Sequence, residues 1–252
     1  MTVPTFLPYF MMAGTTATLI AIIYGLQRSF AETSWTAETR NRTFLTTLIV
    51  LGGWFFLALA LSAAGFYHVQ SGEMPTLQYG LIPPILIGAW LIWRSEAMGR
   101  IIDAIPQRWL VGIQFYRALG VIFLILYAHD RLPGLFALPA GTGDMIVGLS
   151  APLVALAYAR APSKTAGLVR AWNLLGILDL TVAVSTGFIT APSRLFATEV
   201  QPNSDLMTVL PLVLIPVYLV PLSIVLHLAS LTKLRRDRAR AVSAKGIANA
   251  SA

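Results

Sequence analysis

The sequence predicts an all-α integral membrane protein with seven transmembrane helices, its N-terminus outside the cell and its C-terminus in the cytoplasm. Of the 252 residues, 56% are hydrophobic and only 12% are charged, whereas soluble domains carry about 25% charged residues. The mean hydropathy is +0.72. Apolar runs of roughly 20 residues, the length of a helical span, recur along the chain.

Seven apolar segments qualify as spans, and together they form a single membrane domain over residues 1–232. Their predicted bounds are 6–27, 43–65, 77–93, 109–128, 135–158, 168–190 and 207–231. The third span is short and carries Pro83-Pro84, which predicts a kink because proline removes a backbone donor. The seventh holds Pro211, Pro216 and Pro221, a pattern that fits either a deformable helix or a static curved one.

The distribution of Lys and Arg predicts the orientation, because cytoplasmic loops are enriched in basic residues. Fifteen of the 18 basic residues fall on one side of the predicted spans: Arg28, Arg40, Arg42, Arg94, Arg100, Arg108, Arg160, Lys164, Arg170, Lys233, Arg235, Arg236, Arg238, Arg240 and Lys245. The opposite loops hold only Arg131 and Arg194, and Arg117 lies inside a span. The localisation we expect is a bacterial inner membrane, crossed several times.

Residues 233–252 are predicted to form a basic, disordered cytoplasmic tail. A cluster of Lys and Arg beside a span attracts anionic lipid headgroups, so lipid is the partner expected there, and no protein partner can be identified. The net charge of +7 does not predict nucleic-acid binding, because the basic residues lie where membrane topology requires them. On the other side, the segment 191–205 is expected to lie along the membrane surface.

Three charged residues stand inside spans, where a charge at mid-bilayer costs several kcal/mol unless it is paired or hydrated. With a helical rise of about 1.5 Å per residue, Arg117 and Asp179 lie roughly 16 Å deep and Asp144 roughly 14 Å deep. Three consecutive spans therefore carry charges in one layer. We expect the three side chains to touch, because Arg117 has few other ways to be neutralised.

Small residues share the helical face of each carboxylate, as they do where two helices pack closely. Around Asp144 they are Ala140, Gly148, Ala151 and Ala155, and around Asp179 they are Gly176, Ala183 and Gly187. Asn173 and Gln114 are expected on adjoining faces nearer the cytoplasm, where their amides extend the polar track. The predicted binding residues are thus Arg117, Asp144, Asp179, Asn173 and Gln114.

Two interpretations of this set compete. In one, Arg117 bridges two aspartates as a permanent lock between helices. In the other, the formal charge of −1 left by one arginine and two aspartates attracts an ion or a proton, and ionisable residues inside membranes usually serve function.

Other kinds of site find little support in the sequence. Cysteine is absent, and a retinal Schiff base would need a lysine inside a span, which none of the three lysines provides. His68, His129 and His227 are isolated, with His227 expected near the inner surface, so no metal site or cofactor is predicted. No nucleophile–base pair accompanies the charges, and an enzyme is not expected.

The leading hypothesis is a small bacterial inner-membrane carrier or permeation protein with a mid-membrane site for an ion, proton or small polar solute. The alternative is a non-catalytic membrane subunit or assembly partner in which the charged residues are a structural lock.

Overall fold

The computed structural model describes residues 5–68, 74–192 and 201–250, with the backbone alone for 244–250. All regular structure within these ranges is helical. The elements are α1 (Leu7–Ala31), α2 (Ala37–Ala63), α3 (Leu77–Arg94), α4 (Glu96–Ala104), α5 (Gln107–Gly112), a first 3₁₀ helix (Ile113–Gly120), α6 (Val121–Ala128), α7 (Gly134–Arg160), α8 (Pro162–Ile189), a second 3₁₀ helix (Asp205–Thr208), a π-helical turn (Ile215–Leu219) and α9 (Val220–Ala250). Most of the segment expected along the membrane surface, residues 193–200, lies outside the described ranges.

Six helical segments of the described chain are long and apolar enough to cross a membrane, as in a multi-pass membrane protein. They are Leu7–Ala31, Ala37–Ala63, Gln107–Ala128, Gly134–Arg160, Pro162–Ile189 and Ile215–Ser243. Helix α3, at the position of the third predicted span, has 18 residues with both prolines inside it and is not among the six. The all-α class is confirmed, while the count of seven spans and the orientation stay predictions.

The seventh predicted span departs from the prediction in its first part. Residues 209–213 are not helical, and a π-helical turn then leads into α9. Pro211 and Pro216 lie in this stretch, and a proline cannot donate the N–H that would close a helical turn. Regular helix therefore begins later than hydropathy alone predicts.

Helix α9 continues to Ala250, through most of the segment 233–252 for which the sequence predicts a disordered tail. Arg236 donates from Nε and Nη2 to the two carboxylate oxygens of Asp103 on α4, at 2.8 and 2.5 Å. Arg240 pairs with the same carboxylate, and Lys233 Nζ donates to the main-chain oxygen of Asp103 at 3.2 Å. This bidentate anchor at Asp103 holds the start of the basic segment against α4. The many Ala and Arg residues of that segment favour helix.

Helix α7 is packed on several sides, against α5, the first 3₁₀ helix, α6 and α8. Gly148 permits the closest approach, because a Cβ there would overlap the main chain of Arg117 and Ala118. Helix α9 packs on α3, α5 and α8. Helix α2 is peripheral, with only Ala58 and Ser62 buried.

The first 3₁₀ helix determines which side chains of the fourth predicted span point inward. A 3₁₀ helix has three residues per turn, so residues i and i+3 lie on one edge. Gln114, Arg117 and Gly120 have this spacing, and they are the buried residues of the segment. A regular α-helix would have spread the same three positions around its face.

The Asp103 anchor predicts a pH-dependent docking of α9. Hydrogen bonds from Arg236, and secondarily from Arg240, hold the pKa of Asp103 below its ordinary value, although burial opposes them. Since the folded-state pKa is the lower one, the anchor is complete above the ordinary aspartate pKa of about 3.9 and is lost as pH falls through the folded-state value. Amide hydrogen exchange over residues 233–243, corrected for intrinsic rates, should lose protection on acidification in that range.

The matching variant is Asp103→Asn, which should lower protection of the same amides already at pH 7. Asp237→Asn is the control, because the salt bridges of Asp237 among the described residues are to Lys233 and Arg240, on the same helix. Equal protection in wild type and Asp103→Asn would show that the anchor does not hold this part of α9.

Candidate functional site

The candidate site centres on the guanidinium of Arg117, a residue only 3% exposed. Its Nε donates to Asp144 Oδ1 at 2.8 Å, and its Nη2 lies 2.7 Å from the same oxygen. Nη2 also donates to Asp179 Oδ2, and Nη1 donates to the Gly176 carbonyl at 3.2 Å. The three charged residues that the sequence puts in one layer are thus in direct contact.

A histidine completes this arrangement. His227 Nε2 lies 3.3 Å from Arg117 Nη1, and His227 Nδ1 lies 2.9 Å from Asn173 Oδ1. Arginine can only donate, so Nε2 acts as the acceptor and Nδ1 carries the proton that Asn173 Oδ1 accepts. Asn173 Nδ2 donates in turn to the Val169 carbonyl at 2.7 Å. In this series of hydrogen bonds, Arg117 donates to His227, His227 donates to Asn173, and Asn173 donates to Val169. His227 therefore carries one proton, on Nδ1, and its imidazole is neutral.

We call Arg117, Asp144, Asp179, His227 and Asn173 the Arg117 cluster. Every nitrogen of the Arg117 guanidinium donates a hydrogen bond to an acceptor of the protein itself. A saturated guanidinium has no spare donor for an anionic ligand. The carboxylates are the part of the cluster that retains capacity, because a carboxylate accepts up to about four hydrogen bonds.

Sequence reasoning missed His227 because it expected the residue near the inner membrane surface. Since α9 runs to Ala250, His227 lies well inside the helix and is fully buried. A signal was present in the sequence: Ser223, His227 and Ser230 recur at intervals of four and three, which puts them on one helical face. That polar stripe within an apolar run marks a face turned toward protein.

Gln114 lies beside the cluster rather than in it. Its Nε2 donates to the Ser223 carbonyl at 3.1 Å, and its Oε1 accepts from Ser223 Oγ at 2.6 Å. Further along the same stripe, Gln107 Nε2 donates to Ser230 Oγ at 2.6 Å. Helix α9 therefore carries a ladder of polar contacts that runs from the cluster toward Asp103.

Glycines make room for both carboxylates. A Cβ on Gly120 would overlap the side chain of Asp144, and a Cβ on Gly143 would overlap Asp179 Oδ1. Side-chain exposure is 2% for Arg117, 12% for Asp144 and 16% for Asp179. The positive charge is thus enclosed, and the two negative charges lie nearer the edge of the packed interior.

Two cavities meet at Asp144. The first, of about 60 Å³, extends from Asp144 toward Pro75 and Pro192, and we call it the Pro192 cavity. The second, of about 30 Å³, lies on the side of Arg117, Tyr116 and Ser223. Both linings share Phe123, Asp144, Leu180, Ile215 and Val220. Asp144 therefore lies at the junction between an apolar cavity and the polar interior.

The chemistry available here is that of a small negatively charged site. One arginine, two aspartates and a neutral histidine leave a formal charge of −1, which favours a positively charged occupant. Among the described residues, no group of three or more His, Cys, Asp or Glu side chains could hold a metal ion.

The contacts of Arg117 predict a large stability effect. Arg117→Leu should lower the free energy of unfolding by about 3–5 kcal/mol, because it leaves the buried Asp144 and the partly buried Asp179 without a counter-charge. The triple variant Arg117→Leu/Asp144→Asn/Asp179→Asn, in which no charge is left unpaired, should recover a substantial part of that loss. Thermal and denaturant unfolding of the purified protein measure both changes. A loss below about 1 kcal/mol in the single variant would contradict the expected role.

The whole Arg117 cluster falls in the part of the chain that a protein-family model matches. That model, described as "Domain of unknown function (DUF8737)", covers residues 74–235, and so contains α3 to α8 and the first part of α9 but neither α1 nor α2. No curated protein and no solved structure matches the chain. Since the model covers more than half of the 252 residues, the chain belongs to the DUF8737 family.

Proposed function

We propose that this protein is a small bacterial inner-membrane carrier or permeation protein, and that the Arg117 cluster binds its cargo, a proton or another cation, near mid-membrane. The observation that carries the proposal is the position of Asp144. It belongs to a cluster of net charge −1 and lies where two cavities meet. A buried group that is accessible from a cavity is able to exchange an occupant.

The charge balance narrows the range of cargo. A small polar solute that is anionic would have to displace an acceptor from Arg117, whose three nitrogens are all engaged. A proton or cation needs no such rearrangement, because it binds to the carboxylates. The excess negative charge of the cluster stabilises the bound proton or cation.

The polar ladder of α9 supports a route away from the cluster. Ser223 with Gln114, and Ser230 with Gln107, form successive buried pairs between Asp144 and Asp103. Hydroxyl and amide groups both donate and accept, so they can coordinate a migrating ion or relay a proton once the helices separate.

The proposal includes seven spans, with α3 as the third. At about 1.5 Å per residue its 18 residues reach roughly 27 Å, close to the thickness of the hydrocarbon core of about 30 Å. The excess of Lys and Arg then puts the N-terminus outside and the basic end of α9 in the cytoplasm, where it faces anionic lipid headgroups.

One observation favours the second candidate, a non-catalytic membrane subunit. Arg117 ties the first 3₁₀ helix to α7, α8 and α9, which is what a structural lock between helices would do. Under this alternative the carboxylates serve only to neutralise Arg117, and flux should not depend on them.

Flux measurements on the two aspartates separate the candidates. Asp144→Asn and Asp179→Asn should each reduce flux of protons or monovalent cations through proteoliposomes by about tenfold or more, because each removes a charge that binds the cargo. The flux is read from an enclosed pH-sensitive dye under a potassium gradient, with and without added sodium.

Asp130→Asn is the matched control, because Asp130 is exposed in the turn after α6 and the chemical change is the same. All variants are compared at equal incorporation and with thermal unfolding recorded. Undiminished flux in both folded variants, or no flux in wild type, would rule out the carrier and leave the structural lock.

A further inference from the structure

The lining of the Pro192 cavity consists of many apolar residues and few polar ones. Its walls are mainly aliphatic and aromatic side chains from α3, α6, α7, α8 and the start of α9, among them Leu81, Phe136, Ala183, Val184 and Phe188. Of the described residues in its lining, Asp144 is the only charged one, and Ser204 and Thr208 are the only ones with a hydroxyl. The cavity is an apolar space with one carboxylate at one end.

That carboxylate retains capacity for a ligand. Asp144 Oδ1 accepts from Arg117, whereas no side chain of the described residues donates to Asp144 Oδ2. The residue is 8% exposed and it lines the cavity. A carboxylate oxygen with an unused acceptor position beside an apolar cavity favours a ligand that brings its own donor.

The chemistry of the cavity eliminates several classes of occupant. A metal cation keeps its hydration unless several oxygen ligands replace the water, and the walls offer almost none. An anion would meet the negative charge of Asp144. A neutral hydrocarbon would fill the walls but leave the carboxylate without a partner.

We propose that the Pro192 cavity binds a small aliphatic amine in its protonated form, with the ammonium group on Asp144 and the hydrocarbon chain between the apolar walls. This inference rests on the proposed function, since it uses Asp144 as the cation-binding residue and names the class of cation. The volume of about 60 Å³ holds roughly four to six water-sized groups, so an ammonium group with a chain of about three or four carbons fits. The aromatic walls also favour a cation, which is attracted to the face of a ring.

The test measures binding of n-butylammonium chloride to the purified full-length protein in lipid nanodiscs, as a rise in unfolding temperature with ligand concentration. Three further probes separate the contribution of the hydrocarbon chain to binding from that of the positive charge. n-Butanol has the chain without the charge, sodium butyrate has the chain with the opposite charge, and sodium chloride supplies a cation without the chain. Only n-butylammonium should raise the unfolding temperature.

Two variants locate the binding. Asp144→Asn should weaken n-butylammonium binding by about tenfold or more, because it removes the charge on the acceptor. Ala183→Leu should weaken it similarly by filling the cavity, while every residue of the Arg117 cluster is left unchanged. Ala171→Leu is its matched control, since Ala171 lies on the same helix α8 but is exposed, and it should leave binding unchanged.

The outcomes separate this inference from the proposed function. Binding of n-butylammonium that is lost in Asp144→Asn and Ala183→Leu supports the amine site, even if proteoliposomes show no flux, in which case only the carrier function fails. No binding to a wild-type protein whose flux depends on Asp144 overturns the amine site and leaves the carrier. Equal stabilisation by n-butanol, or undiminished binding in Ala183→Leu, also overturns the amine site.

Discussion

The neutralisation of Arg117 is the constraint on which the rest of the structure depends. A guanidinium in an apolar interior loses its hydration, and it is stable only if every nitrogen finds an acceptor. The acceptors come from α7, α8 and α9, while Arg117 itself lies on the 3₁₀ helix that precedes α6. Four elements are therefore held in one register by the demands of a single side chain.

Close packing around that side chain follows from residues that have little or no side chain of their own. Gly176 lies against the His227 ring and the Arg117 guanidinium, where a Cβ would overlap the ring and press tightly on Arg117 Nη1. Gly120 and Gly143 leave space for the two carboxylates in the same way. Because the helices approach so closely, the side chains of Arg117, Asp144 and Asp179 are only 2%, 12% and 16% exposed, and Asp144 lines the two cavities beside it.

The enclosed arginine and the accessible aspartate divide the roles within the cluster. Arg117 has no donor left for a ligand, so it acts as a fixed counter-charge that keeps two carboxylates together in the protein interior. Asp144 pairs with that fixed charge and also lines the Pro192 cavity, so the structural lock and the proposed binding site share one residue. The family match covers this entire arrangement and omits α1 and α2, and α2 is the helix with the fewest buried residues for its length.

The sequence by itself determined the helical class, the approximate position of each apolar helix and the contact of Arg117 with Asp144 and Asp179. These features depend on hydrophobicity and on the regular rise of a helix, which are local properties. Only the tertiary structure decided the role of His227, the 3₁₀ geometry at Arg117, the helical course of the basic segment and the two cavities. The reason is that charges inside helices must be neutralised, so Arg117, Asp144 and Asp179 could be matched by depth, whereas neutral side chains carry no such requirement. The contacts of His227 with Arg117 and Asn173 are selected by packing, and no local pattern specifies them.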